Sequence, residues 1–258
     1  MTTVGFIGTG NMGAALARAA AKSGEATLLL ANRTPEKARS LAGELGAETA
    51  SNTQAAKADY LFIGVKPQQL EGLFAEIAPA LGAETVIVSM AAGTGLDKLA
   101  ALSGGKNPVV RILPNLPVSV GKGLTLMTAA PTATAAQKQT VRRLLAASGT
   151  VLETEEKQLE VLGTLTGCGP AWAAMLTEAL ADGAVACGAS RVQAYEAAEQ
   201  MLLGTAALLL ETGEHPASLK DRVCSPGGST ICGVRALEKA GFRAACTEAV
   251  IAACEKKF

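Results

Sequence analysis

A chain of 258 residues, 49% hydrophobic and 18% charged, has ample material for a core and enough length for one large or two modest domains. Its 23 acidic and 23 basic residues balance and are spread along the sequence, so the electrostatic footprint of a nucleic-acid or anionic-membrane binder is missing. A single histidine, His215, and six cysteines (168, 187, 224, 232, 246 and 254) without any C-x-x-C pair argue against zinc and Ser-His-Asp chemistry; no metal site is expected.

The N-terminus runs straight into an apolar strand pattern without a charged leader and cleavable segment, which points to the cytoplasm. Residues 4–7 make that first strand, and Gly8, Gly10 and Gly13 follow at G-x-G-x-x-G spacing where a helical pattern (Leu16, Ala19, Ala20) begins. The three glycines differ in what they allow. Gly8 permits the tight turn, Gly10 keeps side-chain atoms away from a pyrophosphate, and Gly13 lets the helix lie close to the strand. The N–H groups of Asn11, Met12 and their neighbours, including Thr9, are then aimed at an anion in the field of the helix dipole.

The second apolar run, 27–31, closes on Asn32-Arg33-Thr34. NAD sites carry an acid about 20 residues beyond the glycines, where it binds both ribose hydroxyls and repels a 2′-phosphate. Here Asn32 stands in its place, Arg33 can fork onto a phosphate and Thr34 adds a hydroxyl, so NADP(H) is expected in preference to NAD(H). The same residues also suit a plain helix start, with Thr34 as N-cap and Pro35 at the first helical position, and both roles can coexist.

Apolar runs at 59–65, 85–90 and 108–112, a strand near 122–127 and a helix near 134–147 extend the alternation, which predicts parallel strands with crossover helices in one doubly wound α/β domain over 1–152. Three strand ends, Val65-Lys66-Pro67, Ala91-Ala92-Gly93 and Leu113-Pro114-Asn115, should line the ligand crevice. Lys66 reads either as a cation near the phosphates or as a solvated loop residue.

Beyond Glu153 strand signals stop, and helical patterns near 155–164, 170–187, 191–211, 216–223, 229–239 and 242–256 predict a second, all-α domain over 153–258. The apolar stretch 201–210 is well short of the ~20 residues that span a bilayer, so a buried helix and no membrane partner are expected. Helix 191–211 is apolar on nearly every side, more than a surface helix carries, and predicts packing against a second copy of the chain. Between two of these helices, residues 219–231 contain Ser225-Pro226-Gly227-Gly228-Ser229-Thr230. Successive N–H groups of Gly228, Ser229 and Thr230 can converge there at a helix N-terminus and cradle a small carboxylate. An ordinary Pro-Gly-Gly turn with Ser229 or Thr230 as N-cap is the plainer alternative.

These residues carry a family resemblance. With GFIGTGNMG (5–13), NRT (32–34), VKPQ (65–68), SMAAG (89–93), TGCGPAW (166–172), LKDRVCSPGGSTI (219–231) and ALEKAGFR (236–243), the chain resembles the pyrroline-5-carboxylate reductase family over essentially its full length. The glycine-rich first motif is shared by many Rossmann proteins; the Ser-Pro-Gly-Gly segment is much narrower. The resemblance implies a Rossmann-like domain followed by an all-α dimerisation domain, and hydride transfer from NADPH to C5 of 1-pyrroline-5-carboxylate, giving L-proline. It implies that the substrate carboxylate sits on Ser225 and the N–H groups of 228–230, shaped by Gly227, while the Thr230 hydroxyl faces the ring nitrogen as the catalytic contact. On the cofactor side it implies residues 8–13, 32–34, 65–67, Ala92 and Gly93, with Asn52 reaching the adenosine and Asn115 orienting a polar group near the nicotinamide. A homodimer through the C-terminal helices, or a larger homo-oligomer, follows from the same resemblance.

Three positions depart from the family pattern: Leu113 and Leu116 flank Pro-Asn where the family commonly reads Met-Pro-Asn-Thr-Pro, and Cys168 replaces a usual Ser. A weaker resemblance, to NADP-dependent 3-hydroxyacid dehydrogenases, lacks the Lys that serves that family as proton donor, since residues 167–180 contain none.

Overall fold

The computed structural model describes residues 1–256. In chain order the first part comprises β1 (Thr2–Ile7), α1 (Asn11–Lys22), β2 (Ala26–Ala31), α2 (Pro35–Leu45), β3 (Glu48–Thr49), α3 (Asn52–Ala55), β4 (Tyr60–Ile63), α4 (Leu70–Ile77), β5 (Val86–Ser89) and α5 (Leu96–Leu102). It continues with β6 (Val109–Pro114), β7 (Gly123–Ala129), α6 (Ala135–Leu145) and β8 (Gly149–Glu153). The strands form one sheet in the order β3-β2-β1-β4-β5-β6-β7-β8. The chain reverses direction across the sheet between β1 and β4, so a crevice opens beyond their carboxyl ends.

Strands β4 and β5 are buried at every position, the mark of a parallel sheet covered on both faces. Val4, Phe6, Phe62, Val88 and Val110 pack on one face with Leu16, Leu41 and Leu144 of α1, α2 and α6. Ile7, Leu61, Ile63 and Ile87 pack on the other with Leu70, Phe74 and Leu99 of α4 and α5. Phe6 stacks on its register partner Phe62 at 4.7 Å between ring centroids. Each such fully buried side chain contributes roughly 1.5–3 kcal/mol, and the two layers fix where the strand ends lie.

The expected all-parallel order fails at one place. β7 runs antiparallel to β6, because residues 115–122 are too few for the crossover of about a dozen residues that a parallel return needs. β3 and β8 were not expected; β3 is two residues long, and β8 is a largely exposed strand without a strong alternation.

The chain divides into two compact units, the first ending at Gly167 and the second beginning at Cys168. The division falls beyond the expected boundary at 152/153, inside helix α7 (Glu156–Ala186), whose first turns bury Leu159 and pair Glu156 and Glu160 with Arg111 of β6. The two helices expected at 155–164 and 170–187 are thus one. Pro170 offers no N–H to Thr166 O, and that carbonyl instead accepts from Asn115 Nδ2 at 3.2 Å, so the helix continues through the proline.

The second unit continues with α8 (Arg191–Thr212), α9 (Pro216–Val223), α10 (Ser229–Lys239) and α11 (Phe242–Glu255). Ser190 caps the start of α8, and Gly213 ends it in the left-handed conformation. The expectation that 201–210 is buried does not hold within one chain: Ala194 and Ala198 are covered, but Met201, Leu203 and Leu210 are exposed, Leu210 by 85%. No described helix is long and apolar enough to cross a membrane.

Candidate functional site

The glycines after β1 do what their spacing requires. Gly8 holds φ +95°, and a Cβ there would lie 2.6 Å from the Gly64 carbonyl oxygen; a Cβ on Gly13 would lie 2.0 Å from Gly8 O. A Cβ on Gly10 would meet nothing within 4 Å, so Gly10 faces open space. Gly10 is also the N-cap of α1 and supplies no side-chain acceptor, and the first turn carries no acid. The N–H groups of Asn11 and Met12 therefore begin a helix with its positive end unneutralised, beside room for a pyrophosphate. These features fit a dinucleotide. Thr9 takes another part: its N–H donates to Asn32 Oδ1 at 3.1 Å, and its buried hydroxyl has no partner among the described residues.

Asn32 is a latch between two loops. Its Oδ1 receives Thr9, and its Nδ2 donates to Thr34 O at 3.0 Å. A carboxylate could accept the first bond but not donate the second, so the residue that removes the NAD-type negative charge also sets the geometry of the loop carrying Arg33 and Thr34.

A cleft of about 420 Å³ brings Gly8, Gly10, Asn32, Arg33, Thr34, Asn52, Val65 and Lys66 together. It also takes in Lys37, Gly64, Gln69, Leu73 and Glu76, which the sequence pattern did not single out. Gly64 had a legible signal, a glycine at the end of an apolar strand; the α4 residues had none, because their contribution depends on how α4 lies on the sheet. Glu76 Oε2 accepts from Asn52 Nδ2 at 3.0 Å, fixing that amide at the cleft wall. Arg33, Lys37 and Lys66 have no ion-pair partner among the described residues, so three cations face one carboxylate that already holds a hydrogen bond. That balance suits a phosphorylated ribose. Lys66 is placed on the cleft, with its own N–H held by Gln69 Oε1 at 3.1 Å.

An adjoining cleft of about 350 Å³ shares Asn32, Arg33 and Asn52 and adds Arg39, Ser51 and Gln54. Pro67 opens a short 3₁₀ turn beyond the cleft wall. Ala92 and Gly93 are exposed in the turn after β5, Gly93 with φ +70°. Asn115 lines neither cleft. Its Oδ1 accepts from Leu124 N–H at 2.8 Å while its Nδ2 serves Thr166, so its amide ties the β6–β7 turn to α7.

In the second unit, α9 ends at Val223 and α10 starts at Ser229, with residues 225–230 exposed or half-buried at the surface. Gly227 has φ +69°, which calls for glycine, and a Cβ on Gly228 would lie 2.4 Å from Ser225 Oγ, so a side chain there would have to turn that hydroxyl aside. Gly228 is the N-cap of α10 and no side chain caps the helix, which sets aside Ser229 or Thr230 as a routine cap. The Gly228 N–H donates to Ser225 O at 3.1 Å. That corrects the expectation that it faces a ligand: Gly228 shapes the cradle, and Ser229 and Thr230 begin the run of open donors.

Residues 156–257 match the family described as pyrroline-5-carboxylate reductase dimerisation, and residues 3–93 match NADP oxidoreductase coenzyme F420-dependent. Pyrroline-5-carboxylate reductase of Escherichia coli (strain K12) is 38% identical over 98% of this chain and 96% of its own. The structure of a pyrroline-5-carboxylate reductase from Coxiella burnetii superposes with a TM-score of 0.91 at 30% identity, covering 98% of this chain and 96% of that one. Plasmodium falciparum pyrroline carboxylate reductase with NADP bound gives a TM-score of 0.86 at 28% identity, over 98% and 96%. With both glycine-lined helix starts in place and relatives matching from end to end, the chain belongs to the pyrroline-5-carboxylate reductase family.

Proposed function

We propose that this NADP(H)-dependent oxidoreductase reduces the cyclic imine 1-pyrroline-5-carboxylate to L-proline, the last step of proline biosynthesis, accepting NADH less well. The supporting observation is that α1 begins at Gly10 and α10 at Gly228 without a side-chain cap, so that each unit offers a helix start with open N–H groups at the motif the family shares.

On the first unit, the N–H groups of Asn11 and Met12 hold the pyrophosphate, and Arg33 and Thr34, with Lys37, hold the ribose phosphate. NADPH, when bound, supplies the hydride. On the second, Ser225 and the N–H groups of Ser229 and Thr230 hold the substrate carboxylate. The Thr230 hydroxyl donates to the ring nitrogen, favouring the charge distribution of the amine that forms as C5 is reduced. Threonine is too weak an acid to be the final proton source at neutral pH, so water supplies the proton. Much of the acceleration is orientation, which alone can supply ~7 kcal/mol or more.

The enzyme works in the cytoplasm as a homodimer joined through α7 to α11. Val192, Leu203, Leu210, Val223 and Leu237 are 44–85% exposed in one chain, an apolar surface that a second copy would cover. The test is NADPH oxidation with and without 1-pyrroline-5-carboxylate, followed by a ternary complex. Turnover that ignores the imine, or residues 225–230 remote from the nicotinamide ring, overturns the reading.

A further inference from the structure

Helix α5 starts on Gly95, which has no side chain to satisfy the first N–H groups. The Leu96 N–H is instead taken by Glu156 Oε1 at 2.6 Å, from 60 residues further along the chain. The same oxygen lies 3.6 Å from Arg111 Nη1, and Arg111 Nη2 meets Glu160 one turn along α7. The Arg111 side chain is 3% exposed, while the Glu156 and Glu160 side chains are 38% and 51% exposed. A guanidinium so far out of water is tolerated only against carboxylates, so Arg111 pins both to the end of the sheet.

The loop from Met90 to Gly95 is held along its length: Ala91 is buried with its N–H on Ser89 Oγ at 3.2 Å, and Thr94 is buried. Met90 N–H donates to Ile63 O at 3.0 Å, and Leu96 N–H is held by Glu156. Ala92 and Gly93 are exposed between the buried Ala91 and Thr94, with Gly95 and the start of α5 following directly.

We infer that Glu156 is a positioning residue for the cofactor: clamped by buried Arg111, it caps α5 from outside and thereby sets the 92–95 loop at the ligand edge of the sheet. The inference rests on the reading that assigns Ala92 and Gly93 to the cofactor. Glu160 shares the charge of Arg111 without touching the loop, so the two carboxylates separate positioning from simple charge balance.

The experiment measures the NADPH dissociation constant of the full-length enzyme by cofactor fluorescence without substrate, alongside KM and kcat. Glu156→Ala should weaken NADPH binding about fivefold or more, the scale of one lost helix cap, while KM for the imine changes less than about twofold. Glu156→Gln keeps an amide oxygen for Leu96 N–H and should recover most of the affinity. Glu156→Asp, too short to reach, should not, and it decides the matter if the alanine variant fails to fold. Glu160→Gln should leave NADPH affinity unchanged even if it lowers Tm. Equal weakening by Glu160→Gln, or a Glu156→Asp enzyme that binds NADPH like the parent, overturns the inference. A parent enzyme that binds NADPH but does not oxidise it with the imine would remove the substrate reading and leave the affinity series to decide this one.

Discussion

Asn115 donates its side-chain amide to the Thr166 carbonyl at 3.2 Å, the carbonyl that Pro170 leaves without a helical donor. A loop residue thus repairs a defect in the longest helix of the described chain. Asn115→Ala should lower stability by about 1–3 kcal/mol, since it strands both that carbonyl and the Leu124 N–H. Pro170→Ala restores a helical N–H at the same carbonyl. Thermal denaturation of the two single variants and the double variant should give a coupling of about 0.5–3 kcal/mol, and strict additivity would mean that the two residues do not share the carbonyl.

Gly10 and Gly13 should separate binding from folding. Gly13→Ala places a methyl 2.0 Å from Gly8 O and should cost about 1–3 kcal/mol of stability by overpacking. Gly10→Ala meets only open space, so the protein should melt normally while its NADPH affinity falls. A parent-like dissociation constant in Gly10→Ala would move the pyrophosphate elsewhere.

Arg33→Ala should reduce the preference for NADPH over NADH by about tenfold or more, as expected for losing a charge-assisted hydrogen bond to phosphate. Lys37→Ala should act in the same direction more weakly, because a lysine reaches the cleft as a point charge. The ratio of kcat/KM for the two cofactors is the measurement; an unchanged ratio in Arg33→Ala removes it from the ribose end.

Thr230→Ala should lower kcat/KM about 10-fold or more, a loss of ~1.4 kcal/mol or greater, with folding intact because residue 230 is exposed. Unchanged kinetics would take the hydroxyl out of the reaction.

Glu153 accepts from Lys138 Nζ at 2.6 Å and from Arg142 Nη2 at 2.7 Å, and these bonds, Lys138 first, hold its carboxyl below the ordinary glutamate value of 4.5. A folded-state value lowered in this way stabilises the protein above pH 4.5, and the gain is lost as pH falls through the lower folded value. Both cations leave the carboxylate partly in water, so Glu153→Gln should cost no more than about 1 kcal/mol near neutrality. The difference in Tm should vanish in strong acid; a gap that widens there would reverse the sign.

Local chemistry made much of this legible. The run Val4 to Gly13 announces strand, turn and helix because each glycine answers a close approach or an open space at that spot. The Pro-Gly-Gly turn was equally readable, whereas the direction of the Gly228 N–H was not, since it depends on the Ser225 carbonyl folding back beneath it. What stayed hidden was non-local. Pro170 looks like a break in sequence, and only the arrival of Asn115 from another element keeps the helix whole. Arg111 sits in a strand of Val and Ile as an apparent misfit until Glu156 and Glu160 come alongside. β7 reads as one more parallel strand until the length of its connection is weighed.

The helical unit has little apolar interior of its own: Ala181, Ala194, Ala198 and Leu219 are covered, while Met175, Val192 and Leu210 stand in solvent. Dilution should therefore act on it as a denaturant does, and its melting point should climb with protein concentration. The sheet-containing unit, closed on both faces by its own helices, should keep its melting behaviour at any concentration.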